Sequence, residues 1–142
     1  MPAHSRATDR HLATVDHRLA AVVREAIRRA HPLGLRIVVT EGRRDEVMHA
    51  ELMRLAGARS WQSPSVKGLG VRLAVIVARR ERTDLPLLFR VAEAMRDAAA
   101  ELRVDVKWCW TWRLVGELPA VVDHRIGPGA GYADAQGFVV AG

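Results

Sequence analysis

Cysteine is nearly missing: Cys109 is the only one in 142 residues. An internal disulfide is therefore excluded, and the fold does not depend on an oxidising compartment. Lysine is almost as scarce, at Lys67 and Lys107 only, and aromatics make up 5%. No apolar run approaches the roughly 20 residues that a membrane span needs. The opening MPAHSRATDR has no apolar signal region, which implies cytoplasmic synthesis. No internal repeat is present. At 49% hydrophobic and 27% charged, the composition excludes a disordered or collagen-like chain. One domain with a sizeable core fits this length.

Lys+Arg is 22 against 16 acids, a net charge of +6, and all but two of the cations are arginine. Arginine forks suit phosphates and carboxylates, so nucleic acid, an anionic wall polymer or an acidic protein are conceivable partners. The cations are scattered, with the densest group, Arg79, Arg80 and Arg82, interrupted by Glu81. Scatter favours a solvated surface over a nucleic-acid stripe.

Helical spacing of apolar residues runs from Leu12 to Ala30, with Asp9 or Thr14 as candidate caps and a frayed segment before it. Residues 35–40 (LRIVVT) and 71–77 (VRLAVIV) read as buried strands. A helix is expected over 44–56, a polar loop over 58–70, and a helix over 85–102 with Pro86 in its first turn. Residues 104–110 (VDVKWCW) read as a strand, whose alternation would project Trp108, Trp110 and Trp112 from one side. Val121-Val122 is a candidate final strand. The glycine-rich 127–131 and the tail after it have no assigned element. The order predicts an α+β fold, a small antiparallel sheet with helices packed on it. Its domain plan is an N-terminus over 1–11, a domain over 12–122 and a C-terminal extension over 123–142.

Four segments carry a family likeness. Val39-Thr40-Glu41-Gly42-Arg43-Arg44 is followed five residues on by His49; next come Ser65-Val66-Lys67-Gly68-Leu69-Gly70 with Ala74, then Ala98-Ala99-x-Glu101-Leu102. The last is Trp108-Cys109-Trp110-Thr111-Trp112, a four-residue spacer, and Glu117-Leu118-Pro119-Ala120-Val121. Together they resemble the zinc D-alanyl-D-alanine carboxypeptidase superfamily, which includes vancomycin-resistance dipeptidases and phage L-alanyl-D-glutamate endolysins. The resemblance implies a hedgehog/D-Ala-D-Ala-peptidase-like fold. It places Arg44 on the substrate-contacting arginine and Glu117 on the catalytic acid of the acid-x-Pro-His-aromatic stretch. The family's three zinc ligands, His, Asp and His, fall on Lys67, Ala74 and Ala120.

A catalytic zinc needs three donors and an open water position, whereas alanine donates nothing and a lysine ammonium repels the ion. The resemblance thus implies peptidase ancestry with no zinc cofactor and with hydrolysis lost. Arg44, His49, Lys67, Trp108, Trp110, Trp112 and Glu117 form the candidate binding groove, and Lys67 and Glu117 are a candidate ion pair across it. His49, Asp123, His124 and Asp134 are the donors left for a relocated metal site. Cys109 reads as a small buried apolar residue.

The expected role is a non-catalytic module, a phage-derived structural or interaction protein that joins a virion or binds peptidoglycan. The C-terminal extension, ending GFVVAG, would add a strand to a partner or a second copy. The alternatives are an active metal-dependent endopeptidase with relocated ligands and a basic nucleic-acid binder.

Overall fold

The computed structural model describes residues 6–42, 68–126 and 132–141. The helix expected over 44–56, most of the loop after it, and Arg44, His49 and Lys67 lie outside the described residues.

The single helix expected from Leu12 is two helices. Residues 6–12, expected to fray, form α1 (Arg6–Leu12), and α2 spans His17–Ala30. The apolar period runs unbroken through Leu12, Val15 and Leu19, which hides the break. Its cause is Asp16, whose carboxylate accepts from the Arg18 and Leu19 backbone N–H groups at 2.8 and 3.4 Å and so caps α2. Neither Thr14 nor Asp9 is the α2 cap. The Asp16 N–H donates to the Gly68 carbonyl at 2.7 Å, tying this corner to the entry of the second strand. Glycine is required there: a Cβ on Gly42 would lie 2.5 Å from the His11 carbonyl oxygen, and one on Gly68 2.8 Å from that of Thr14.

Strands β1 (Arg36–Glu41) and β2 (Gly70–Val77) pair antiparallel, close to the expected bounds. The charged turn after β2 is a hairpin into β3 (Arg80–Arg82). Its two connecting residues, Ala78 and Arg79, take φ of 51° and 66°, the twist-matched turn that normally selects Asn-Gly. Each left-handed non-glycine residue costs about 1–2 kcal/mol. Arg79→Gly is accordingly expected to raise Tm by roughly 2–4 °C in a thermal scan; a lower Tm would contradict the turn assignment.

Helix α3 covers Leu85–Leu102, as expected. The strand expected over 104–110 is shorter: β4 is Val106–Trp108, and it pairs with β5 (Arg113–Leu114). Val121-Val122 forms no strand. Val122 is buried, its N–H donates to Glu93 at 2.8 Å, and its carbonyl accepts from Arg90. The segment before it is held the same way, with Arg96 donating to the Pro119 and Ala120 carbonyls. Residues 119–122 are thus laced to α3.

The tail supplies the missing strand. A short helix α4 (Tyr132–Ala135) leads into β6 (Gly137–Val140), which lies between β2 and β4 and pairs antiparallel with both. The sheet order is β1-β2-β6-β4-β5, with β3 beside β2. Residues 137–140 therefore have both edges occupied within the chain and none to lend to a neighbour. Alternate residues Ile37, Val39, Val71, Leu73, Val75, Val106, Trp108, Phe138 and Val140 are buried with α2 and α3, which pack on each other and against the sheet. The outer edge of β1 is covered by α1: the buried Thr8 hydroxyl accepts from the Val39 N–H at 3.1 Å. No helix among the described residues is long and apolar enough to cross a membrane.

Candidate functional site

The three tryptophans do not share a face. Chain direction changes after Trp108, whose carbonyl accepts from the N–H groups of Thr111 and Trp112 at 3.2 and 2.7 Å. Trp108 is fully buried, stacks on Phe138 with centroids 6.3 Å apart, and donates its indole N–H to the Ala135 carbonyl at 2.9 Å. Trp110 stacks on Trp108, meets Phe89 edge-on, and donates to the Ile126 carbonyl at 2.6 Å. Both are core, not groove lining. Trp112 alone of the three is on the surface, at 63% exposure.

Trp112 belongs to a cleft of about 200 Å³ on the face of β2 and β6 that carries Gly70, Arg72, Gly137 and Val139. Glu41, Val71, Cys109, Asp134 and Phe138 complete its lining. Strand pairing sets Arg72 directly opposite Gly137. The absent side chain at 137 has a reason: a Cβ there would lie 2.8 Å from the Cys109 sulfur and 3.2 Å from its Cβ. Cys109 fills the space that any larger residue on β6 would need.

Cys109 is semi-buried, and its thiol is pushed up to about 11, first by burial and then by the Asp134 carboxylate, against the opposing pull of Arg72. It is a protonated, apolar-type filler at neutral pH, not a nucleophile. Iodoacetamide at pH 7.5 should label it far more slowly in the folded chain than in urea, as read by mass spectrometry. Equal rates would show an accessible, activated thiol.

Glu117 is elsewhere. It ends a 3-10 turn (Val115–Glu117), is exposed, and lines hollows with residues such as Leu114, Pro119 and Arg125, none of them on β2. Ala120 is exposed, while Ala74 is buried on β2 opposite Val38. Of the candidate donors for a relocated metal, Asp123 is held by Arg125 at 2.7 Å, which with the Arg125 backbone N–H lowers its carboxyl to about 2. His124 is exposed, and Asp134 lines the cleft. Among the described residues, no group of three His, Cys, Asp or Glu side chains is placed to hold a metal ion. Arg72 and Gly137 are not among the sequence candidates, and Asp134 is there only as a metal donor, because the sequence suggests a strand at GFVVAG lent to a neighbour, whereas β6 pairs with β2 and β4 of the same chain.

The architecture is a mixed helix and antiparallel-sheet fold shared with a solved endopeptidase structure. The chain is similar to the crystal structure of Serratia marcescens L-Ala D-Glu endopeptidase ChiX, with TM-score 0.71 and 21% identity over 96% of this chain and 87% of that one. No protein-family model matches the chain, and no curated protein matches it.

Proposed function

We propose that the chain is a non-catalytic peptidoglycan-peptidase-like module that binds a cell-wall peptide in the β2–β6 cleft without cutting it. The observation that carries this reading is the cleft itself. It lies on the sheet of a fold shared with an endopeptidase, and its β6 strand brings Gly137, which has no donor side chain, to the cleft.

The acid-x-Pro-His-aromatic order has two partial matches in the chain. Glu117–Val121 is one, and Asp134-Ala135-Gln136-Gly137-Phe138 is the other. The second is favoured because Asp134 lines the cleft beside Arg72, whereas 119–122 are bound to α3, and because Phe138 is a core aromatic. On that match Asp134 takes the place of the acid and Gly137 that of the histidine ligand. The matched zinc positions then carry Lys67, Ala74 and Gly137 in place of His, Asp and His. These residues do not fit zinc: two have no donor atom, and the third carries a cation. Asp134 is left with a binding role, as an acceptor for ligand N–H groups beside the Arg72 guanidinium, which suits a ligand carboxylate.

A phage-derived structural or interaction protein is the setting this fits, on the strength of the likeness to endolysins. Any partner contact through the C-terminal extension then falls to residues before β6, not to strand donation. Co-sedimentation with purified sacculi tests the reading. The chain should pellet with the wall and release no fragments, with or without zinc. Release of peptides that EDTA stops, or failure to pellet, would overturn it.

A further inference from the structure

The last strand of the sheet, β5, pairs with β4 only, whereas the opposite end of the sheet, at β1, is covered by α1. Next to β5 lies a hollow of about 300 Å³ that shares no lining residue with the β2–β6 cleft. Its floor is apolar, made by the half-buried Leu114, Leu118 and Ile126 and the exposed Pro119. The walls are fixed from behind. The Ile126 carbonyl accepts from the Trp110 indole, and Arg96 of α3 holds the Pro119 and Ala120 carbonyls. Three charged side chains line the hollow: Arg113, Glu117 and Arg125. Arg125 is paired with Asp123 at 2.7 Å. Arg113 and Glu117 are exposed, and among the described residues neither side chain has an ion pair or hydrogen bond, with the other or with a neighbour.

Two opposite charges that share one apolar hollow, and do not pair with each other, make a self-complementary surface. Under a two-fold axis, residue i of one copy meets residue j of the other, and j meets i. We infer that this hollow is the contact between two copies of the chain. Arg113 of each copy faces Glu117 of the other, and the two apolar floors pack between these pairs. The charge of the whole molecule favours this place. Two chains of +6 repel, and the repulsion is least where local charges cancel. Here Arg113 offsets Glu117, and Asp123 offsets Arg125. The open edge of β5 lets the two sheets approach with no further strand between them. Built on one hollow, the contact is reversible, since stable interfaces bury about 1,200–2,000 Å² in total. The inference stands apart from the cleft reading and uses none of its residues.

Sedimentation velocity of the full chain, over a dilution series reaching about 200 µM to cover weak contacts, tests the inference. Wild type should pass from monomer to dimer across the series. Arg113→Glu and Glu117→Arg each set like charges face to face and should weaken the dimer at least roughly tenfold. The double variant Arg113→Glu/Glu117→Arg restores both pairs with their signs exchanged, and should dimerise within a few-fold of wild type. Both side chains are exposed, so every variant should melt within about 2 °C of wild type. A wild type that stays monomeric, a single variant that dimerises like wild type, or a double variant that does not recover overturns the inference. Each of these leaves the proposed function standing.

Discussion

Trp108→Ala is expected to cost about 3–5 kcal/mol, the largest loss for any single substitution discussed, read as a fall in the urea midpoint. The indole is fully buried and touches three aromatic rings: Phe138 and Trp110 stacked, and Phe89 edge-on with centroids 6.1 Å apart. Truncation therefore empties the junction where β4, β6 and α3 meet. Since a domain's total stability is about 5–15 kcal/mol, a large share of the variant would be unfolded or poorly expressed. Trp108→Phe separates two contributions. It keeps an aromatic ring but leaves the Ala135 carbonyl without its indole donor, a loss of about 1–3 kcal/mol. A Trp108→Ala midpoint within error of wild type would show that β6 is not packed on β4 as described.

Gly137→Ala is expected to lower stability by about 1–3 kcal/mol, a fall in Tm of roughly 3–10 °C. The added methyl would sit 2.8 Å from the Cys109 sulfur, and β6 has paired strands on both sides, so it cannot move aside. Cys109→Ala removes the sulfur and leaves only the 3.2 Å Cβ contact. The double variant should therefore recover most of the loss, with a coupling of at least about 1 kcal/mol in a double-mutant cycle. Additive losses would mean that the two positions do not share this space.

Much of the scaffold was legible in the sequence. The helix over 85–102 and the cores of β1 and β2 follow apolar periods that tertiary packing reinforces. Three features were not. The α1–α2 break is set by the Asp16 cap and by the approach of Gly42 and Gly68, while the apolar spacing runs straight through it. The tryptophan alternation fails because the chain turns at 109–112, and no glycine or proline there announces a turn. Strand β6 is the third: GFVV is short and follows a glycine-rich stretch, which suggests a strand lent to a neighbour, whereas it pairs within the chain. With β6 unplaced, Glu117-x-Pro-Ala-Val was the match available in the sequence, although its segment belongs to α3.

On the proposed reading, the sequence suggests a loss of donors more clearly than it suggests where the cleft lies. Both matches of the last motif put a side chain without a donor at the third ligand position, Ala120 in one and Gly137 in the other. The proposed absence of zinc chemistry is therefore insensitive to which match is used, while the choice of proposed ligand-binding residues is not. Arg72, Trp112 and Asp134 come together only once β6 lies between β2 and β4.

The most direct measurement is the zinc content of the purified chain after equilibrium dialysis against micromolar zinc. The expected result is far less than one ion per chain, with no cleavage of muropeptides in the same sample. About one tightly held zinc per chain, together with cleavage that EDTA abolishes, would contradict the proposed function outright.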